Sequence, residues 1–312
     1  MVPPMLGVIS GAVTAWGSRH SLRGNAFGWD EILLIAIASL AAAFLNGANN
    51  GLNQIYDLEI DRINKPHRPL VTGALAFRNA WWFVVILYII CVSITWVVVP
   101  HPQFTSWGER FSAPLSFHEC IIFYVLATGF TLVYSVPALG RTKQMTLGAN
   151  LTMAIPRGLM LKLAGWSVLA SVWHWEPWFI GIIFFLFVVG AASTKDFSDM
   201  EGDRLGQCRT LPLRFGVRKA AYIIAPFFVF PWLLIPLGLI IEAGGEPILS
   251  GDPYLLVFLS VSLVAWGGYT VYLILRDPEA LSSLENHPSW KHMYLMMLWA
   301  QVGFGLAYVV RF

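Results

Sequence analysis

The chain has 312 residues, of which 57% are hydrophobic and only 12% are charged, and its formal net charge is +2. Soluble domains have about a quarter of their residues charged, so this composition argues against a water-soluble fold and predicts an integral membrane protein surrounded by lipid. The weak net charge and the lack of a basic run also argue against nucleic acid as a partner.

Long apolar stretches follow one another along the whole chain. A helix needs about 20 mainly apolar residues to cross a bilayer. We therefore predict an all-α transmembrane bundle of about nine helices, forming a single domain over residues 1–312. The first stretch lacks a basic leader and a clear cleavage site, so we interpret it as a span and not as a signal peptide. The predicted spans are 1–17, 30–54, 79–99, 118–136, 147–170, 176–194, 219–241, 254–275 and 291–310.

Lysine and arginine are distributed unequally between the two sides of these spans. The loops after the even-numbered spans hold most of the 20 basic residues. Because cytoplasmic loops carry the excess of basic residues, we predict that these loops and the N-terminus are cytoplasmic, in a cell (inner) membrane. The opposite loops hold only Arg19, Arg23, Arg110 and Arg311.

Two short acidic segments have almost the same sequence. Asp57 and Asp61 follow the second predicted span in the segment DLEIDR, and Asp199 and Asp203 follow the sixth in the segment DMEGDR. The segments align without a gap, and such self-similarity at a fixed offset predicts an internal repeat.

Each acidic segment is predicted to place its acids on one side of a helix, because residues three or four apart share a helix face. We refer to residues 53–61 as motif one and to residues 196–203 as motif two. Glu59 and Glu201 lie off these faces and are expected to point elsewhere. The predicted faces hold Asn53, Asp57 and Asp61 in motif one, and Asp196, Asp199 and Asp203 in motif two.

The acids of the two motifs would repel one another in a partly desolvated site unless cations bound between them. Carboxylate and amide oxygens suit a hard cation, and Mg²⁺ is usually held by few carboxylates together with substrate phosphates. We therefore predict a magnesium–diphosphate site. The alternative is that the acids are solvated loop charges balanced by neighbouring lysine and arginine, which two gapless copies at equivalent span ends make less favourable.

Basic side chains close to the motifs are candidates for holding phosphate oxygens, although those in loops could equally serve only to orient the protein in the membrane. Arg157 lies inside the fifth predicted span, where a charge usually faces a polar cavity. Pro156 and Gly158 on either side of it predict a distorted helix. Lys162, in the same span, is predicted either to line the cavity or to snorkel to the surface. The loop candidates are Lys65, His67, Arg68, Arg141, Lys143, Lys195 and Arg209.

Motif one, Asn53-Gln-Ile-Tyr-Asp57-Leu-Glu-Ile-Asp61, resembles the NxxxDxxxD motif of the UbiA superfamily of intramembrane prenyltransferases. The segment from Lys195 to Asp203 resembles the second acidic motif of that superfamily. A third element is matched loosely by Tyr134, Arg141 and Lys143. Within the superfamily, the second motif is most similar to that of homogentisate prenyltransferases, chlorophyll synthases and geranylgeranylglyceryl phosphate prenyltransferases, and the first motif is most similar to the homogentisate type.

The resemblance implies an all-helical bundle around a central cavity that opens sideways to lipid. It implies an enzyme that uses Mg²⁺ to transfer a polyprenyl group from an isoprenyl diphosphate, such as geranylgeranyl diphosphate, to a lipophilic acceptor. Asp57 and Asp61 would hold one Mg²⁺, and Asp196, Asp199 and Asp203 would hold another. The diphosphate would be bound by Asn53, Arg68, Tyr134, Arg141, Lys143, Arg157 and Lys195.

The acceptor is expected to be an aromatic precursor of the quinone or tocopherol type. Chlorophyllide and a glyceryl phosphate lipid remain alternatives. A cation-coupled transporter is the alternative from another functional class, since intramembrane acids and internal repeats also occur there. The position of the acids at the cytoplasmic ends of spans favours the enzyme.

Overall fold

The structure is a computed structural model that describes residues 2–22, 27–284 and 286–310. Helices form nearly all of the regular structure in these residues, which confirms the predicted all-α class. Met1, Arg23 and Arg311, which entered the predictions of the first span and of orientation, lie outside the described residues. The α-helices are α1 Val2–Gly17, α2 Trp29–Tyr56, α3 Leu58–Asn64, α4 Phe77–Ile94, α5 Trp107–Phe111, α6 Glu119–Ser135, α7 Thr146–Ala154, α8 Leu161–Trp166, α9 Trp175–Ser193, α10 Met200–Leu205, α11 Leu211–Phe215, α12 Val217–Ile224, α13 Phe230–Ile240, α14 Pro253–Arg276, α15 Ala280–Ser283 and α16 Pro288–Val309.

Short elements connect these helices. Two antiparallel strands, β1 Glu242–Ala243 and β2 Glu246–Pro247, form a hairpin. Its turn residues, Gly244 and Gly245, both have positive φ (72° and 86°), as a two-residue type I′ turn requires. The 3₁₀ segments are Thr95–Val97, Leu115–Phe117, Pro137–Leu139, Thr142–Gln144, Lys195–Phe197 and Ala225–Phe228, and a π-helical segment covers Ile155–Met160.

Several helices have the length and apolar composition of membrane spans. Trp82 and Ile89 on α4 expose 57% and 60% of their surface, as expected of a face covered by lipid. The helix Glu119–Ser135 is apolar but shorter. Among the described residues, five helical stretches reach full spanning length, namely Trp29–Tyr56, Phe77–Val97, Trp175–Phe197, Val217–Ile240 and Pro253–Arg276.

The helices pack closely where glycine removes the side chain from the contact. The N-terminal helix α1 lies against α2, α8 and α16. At the crossing of α1 with α8, a Cβ atom on Gly165 would lie 2.2 Å from the carbonyl oxygen of Val8, and one on Gly11 would lie 2.7 Å from that of Lys162. Small residues at helix crossings are typical of membrane proteins, where close backbone packing replaces the hydrophobic effect.

The fifth predicted span is not one regular helix. A π-helical segment, Ile155–Met160, separates α7 from α8 and contains Pro156, whose missing amide cannot continue the α-helical bonding. The predicted distortion is therefore confirmed. Gly158 is held against α9, because a Cβ atom there would lie 2.5 Å from the Cα of Phe185. This contact places the π-helical segment, which also contains Arg157, directly against α9.

Candidate active site

Each acidic motif lies where a long helix breaks and a short one begins. Asp57 joins α2 to α3 with φ −103° and ψ 16°, and Asp199 precedes α10 with φ −94° and ψ 6°. The predicted continuous helix faces are thus interrupted. The amide of Asp61 still donates to the carbonyl of Asp57 (2.7 Å), and that of Asp203 donates to the carbonyl of Asp199 (3.0 Å). The four-residue spacing of the acids therefore survives the break in each motif.

Motif two is in direct contact with the residues that follow motif one. The Lys65 ammonium, just after motif one, forms a 2.8 Å ion pair with the Asp199 carboxylate of motif two. The Asn64 side chain bonds motif two at both ends of its amide: its nitrogen donates to the carbonyl of Asp199, and its oxygen accepts from the amide of Gly202, both at 3.0 Å. Motifs that are 142 residues apart in the chain are thus joined by the side chains of Asn64, the last residue of α3, and Lys65, which follows it.

Two glycines, one in α10 and one directly after it, allow this close approach of α10 to α3. A Cβ atom on Gly202 would lie 2.5 Å from the Cγ of Asn64, and one on Gly206, just after α10, would lie 2.3 Å from the Cδ1 of Ile60. Both distances are far below van der Waals contact, so a larger residue would displace the Asn64 amide or the Ile60 side chain from its present position.

Asp57 is almost completely buried and is held by two basic residues of the loop after α6. The Arg141 guanidinium donates to its carboxylate at 2.9 Å and to the carbonyl of Tyr56 at 3.1 Å, and the Lys143 ammonium donates to its other oxygen. Arg141 has a positive φ of 36°, following Gly140 at 98°. A left-handed conformation in a residue other than glycine costs about 1–3 kcal/mol and persists where the surroundings impose it, typically at functional sites.

Burial and neighbouring charge perturb the titratable groups of the site. Burial raises the pKa of Asp61, although the ion pair with Arg68 opposes this. Burial also raises the pKa of Asp203 to about 6, against the opposing charge of Lys143. For Lys143, burial alone would lower the pKa, but the Asp57 and Asp203 carboxylates outweigh it and the pKa is raised. The protein thus keeps Lys143 charged between the two motifs.

Tyr134, at the end of α6, lies near the centre of this arrangement. Its hydroxyl interacts electrostatically with charged groups from three parts of the site. These are Asp57 in motif one, Asp196 and Asp203 in motif two, and Arg157 on the π-helical segment. Arg157 is exposed, as expected of a side chain that lines an open cavity.

Two further candidates lie on the border of the site. Lys195 is exposed and lies near Lys65, Arg68 and Asp199. The side-chain oxygen of Asn53 is buried without a hydrogen-bond partner, so it has an unused acceptor close to the aspartates.

The donor atoms of the site suit Mg²⁺. They are carboxylate oxygens and the free amide oxygen of Asn53, which are the ligands that this ion prefers. Within the described ranges, no three histidine, cysteine or acidic residues already surround a common metal position. Three of the carboxylates, those of Asp57, Asp61 and Asp199, are instead paired with lysine and arginine, so a metal ion would complete its shell with substrate phosphates.

Sequence reasoning located most of these residues and missed some contacts. It assigned no role to Asn64 or Gly202, which join the motifs. Their signal is the spacing of Gly202 and Gly206, a small-residue pair one helical turn apart. Glu59 and Glu201 are exposed, as predicted. Both predictions for Lys162 were wrong, because it is fully buried and donates to Ser10 and Gln301 away from the motifs. His67 and Arg209 are exposed, and no ion pair joins either to the motif acids among the described residues.

Comparison with known proteins gives a consistent result. The UbiA prenyltransferase family matches residues 6–283. A probable homogentisate phytyltransferase 2 from Oryza sativa is 31% identical over 65% of this chain, but this match spans only 55% of that protein's length. A digeranylgeranylglyceryl phosphate synthase from Methanosphaera stadtmanae is 25% identical over 87% of both chains.

Solved structures show the same fold. A UbiA homologue from Archaeoglobus fulgidus bound to GPP and Mg²⁺ is 16% identical, with a TM-score of 0.67 over 98% of this chain and 96% of that one. A digeranylgeranylglyceryl phosphate synthase structure gives a TM-score of 0.62 at 22% identity, over 97% of this chain and 93% of that one. The transporter alternative receives no support from these similarities. The match over most of its length shows that this chain belongs to the UbiA prenyltransferase family.

Proposed function

We propose that this protein transfers a polyprenyl group from an isoprenyl diphosphate to a lipophilic acceptor, in a magnesium-dependent reaction. The observation that carries the proposal is that Asn64 and Lys65, which closely follow motif one, bond directly to Asp199 of motif two and so hold the two acidic motifs beside each other. Four basic residues, Lys65, Arg68, Arg141 and Lys143, form ion pairs with the motif acids. These cations provide for a diphosphate that binds together with its metal ions. Membership of the prenyltransferase family supports the same conclusion.

Breaking the allylic carbon–oxygen bond leaves a diphosphate anion and an allylic cation. When bound, Mg²⁺ would supply Lewis acidity to the leaving diphosphate. Asp57 and Asp61 would hold one ion, and Asp196, Asp199 and Asp203 the other, with Asn53 as an accessory ligand. Arg68, Arg141, Lys143, Arg157, Lys195 and Tyr134 would bind and orient the diphosphate oxygens, as fixed donors that need no rearrangement during the reaction.

The prenyl chain would extend from this site among the apolar side chains of the spans. Their role is to hold the chain and to exclude water, which would otherwise capture the cation. A nucleophilic atom of the acceptor then takes the prenyl group. For the acceptor we propose an aromatic precursor of the quinone or tocopherol type, in line with the similarity to a homogentisate phytyltransferase.

A glyceryl phosphate lipid is the alternative acceptor. It is favoured by the similarity to a digeranylgeranylglyceryl phosphate synthase, which extends over 87% of both chains. Membranes containing the protein should be incubated with labelled geranylgeranyl diphosphate, Mg²⁺ and a panel of acceptors, namely homogentisate, geranylgeranylglyceryl phosphate and chlorophyllide. The mass of the labelled product then identifies the acceptor.

The family assignment also bears on topology. We propose nine crossings with both motifs at the cytoplasmic surface, within one domain over residues 1–312. Beyond the five stretches of full length, α6, the α7–α8 pair, α1 and α16 coincide with the other predicted spans. The matching backbone breaks at Asp57 and Asp199 support the internal repeat.

Matched substitutions test the roles of the acids. We expect Asp57→Asn and Asp199→Asn to abolish magnesium-dependent transfer. Glu59→Gln and Glu201→Gln remove one acid from each motif at exposed positions and should leave transfer near the wild-type rate. Retained transfer in either aspartate variant, or equal losses in all four, would remove these aspartates from the mechanism.

A further inference from the structure

A second cavity opens beside the acidic motifs. Its volume is about 1040 Å³, and none of the five motif aspartates lines it. Arg204, Arg209 and Arg214 line it together with the first residues of α7, and no acidic residue contributes to its wall. The cavity is therefore a basic compartment, distinct from the acidic site next to it.

Three arginines line the cavity without a carboxylate partner in the part of the chain that the structure describes. Among the described residues, no carboxylate lies within ion-pair distance of Arg204, Arg209 or Arg214. Arg214 donates only a 3.4 Å hydrogen bond to the hydroxyl of Thr146. Guanidinium groups with free donors match the oxygens of phosphate in a two-pronged arrangement. Three of them around one cavity thus favour a phosphate-bearing ligand.

Backbone groups at the same cavity favour an anion as well. The first turn of α7, which includes Thr146 and Gly148, forms part of the wall. Its first amide with an α-helical acceptor is that of Ala149, which donates to Met145, and no side chain caps the helix. The amides of Thr146, Leu147 and Gly148 therefore have no α-helical acceptor, and they lie at the positive end of the helix dipole.

Apolar surface adjoins these polar groups. Met145 and Leu147 line the cavity with 52% and 68% of their surface exposed. Leu147 is the first residue of the fifth predicted span, and Met145 lies two residues before it. A ligand that satisfies both kinds of surface has a phosphate head and an apolar tail.

We infer that this cavity binds the phosphate group of a membrane lipid at the cytoplasmic surface, beside the diphosphate site but separate from it. Gln144, which lines the cavity, directly follows Lys143 of the acidic site. Cys208 also lines it and lies close to Lys143 and Asp203. A phosphate bound here is a neighbour of the reaction centre. The inference concerns binding and does not depend on the proposed prenyl transfer.

Native mass spectrometry of the purified protein in detergent provides the test. The probes are phosphatidic acid, diacylglycerol with the same acyl chains, and inorganic phosphate, with EDTA present so that metal ions cannot link phosphate to the aspartates. In Arg209→Gln/Arg214→Gln, we expect the affinity for phosphatidic acid to fall at least about tenfold, which is the loss expected when even one charged hydrogen bond to the phosphate is removed. The control Arg218→Gln/Lys219→Gln removes two exposed charges nearby that do not line the cavity, and it should bind as the wild type does.

The probes separate the sources of binding. Tighter binding of phosphatidic acid than of diacylglycerol supports recognition of the phosphate, and tighter binding than inorganic phosphate supports a lipid as its carrier. Inorganic phosphate binding as tightly as phosphatidic acid would overturn the lipid assignment. Equal losses in both double variants would overturn the cavity as the site, because general attraction to basic surface would then explain binding.

A further variant addresses misfolding. Since Arg214 contacts Thr146, the single substitution Arg209→Gln repeats the test at a side chain without a hydrogen bond among the described residues. Wild-type lipid affinity in both Arg209→Gln and the cavity double variant also contradicts the inference. Prenyl transfer is measured separately, so its loss with lipid binding unchanged bears only on the proposed reaction.

Discussion

Replacing Asn64 by alanine tests directly how the two acidic motifs are held together. The substitution removes the hydrogen bonds to the carbonyl of Asp199 and from the amide of Gly202. Each such bond contributes about 0.5–1.5 kcal/mol net, so the contact between α3 and α10 loses about 1–3 kcal/mol. If substrate binding has to restore that contact, kcat/KM for the diphosphate should fall about 5- to 150-fold, because 1.36 kcal/mol corresponds to a tenfold change.

The assay is transfer from labelled geranylgeranyl diphosphate at a fixed acceptor concentration, with titrations of both the diphosphate and Mg²⁺. Glu59→Gln is the matched control, because Glu59 lies on the same short helix and is paired only with the exposed Arg62. Thermal unfolding of both variants separates a local effect from global loss of structure. Wild-type kcat/KM and magnesium dependence in Asn64→Ala would refute the role of Asn64 in joining the motifs.

Three other substitutions probe neighbouring features. Gly206→Val should disturb the contact between α10 and α3 and lower the rate of transfer, since its Cβ would lie 2.3 Å from Ile60. Adding Ile60→Ala should restore part of the lost rate. The measurement compares the transfer rates of the single and double variants. Arg141→Lys keeps the charge but loses the planar pair of donors, so KM for the diphosphate should rise about tenfold in steady-state kinetics while the fold is retained. Burial raises the pKa of Asp203 to about 6 from an ordinary value of 3.8, so the folded state binds a proton that the unfolded chain has released between these values. The free energy of unfolding in EDTA should therefore fall by about 2 kcal/mol as pH rises from 4 to 6 on account of this group, and melting curves of Asp203→Asn should show a correspondingly smaller fall.

The helices and the ends at which the acids lie could be predicted because both depend on short-range sequence. Apolar length determines where a helix can cross lipid, and Asp57 and Asp61 keep their spacing even though the helix breaks between them. The distortion at Pro156 was equally predictable, since the missing amide acts locally. The break at Asp57 itself was not, because the partners of this carboxylate, Arg141 and Lys143, lie more than 80 residues away in the sequence.

The contacts that join the motifs depend on tertiary packing and leave little trace in sequence. Asn64 is an ordinary residue at the end of a short helix, and its role arises only because Gly202 brings the facing backbone within reach. Lys162 shows the reverse case. A charge inside a span predicted a cavity or a snorkelling side chain, yet Ser10 and Gln301 accept its hydrogen bonds in the protein interior, and it lies 4.2 Å from the Phe184 ring.

The ion pairs of the site define what must change when substrate binds. Asp57 is paired with Arg141 and Lys143, and Asp199 with Lys65. A divalent ion prefers the same carboxylate oxygens, and phosphate oxygens prefer the same basic groups. Binding of both together therefore exchanges each carboxylate–cation contact for a carboxylate–metal and a cation–phosphate contact. Binding of either alone leaves buried charge uncompensated, which is strongly unfavourable.

We therefore expect Mg²⁺ and diphosphate to bind with positive coupling. The coupling should be about 1–3 kcal/mol, the usual range for linked sites, so that each ligand tightens the other about 5- to 150-fold. Thermal shifts with Mg²⁺ alone, inorganic diphosphate alone and both together provide the measurement, and Glu201→Gln serves as the control that keeps every pair. Shifts that merely add would contradict the exchange of partners, because independent sites require no such exchange.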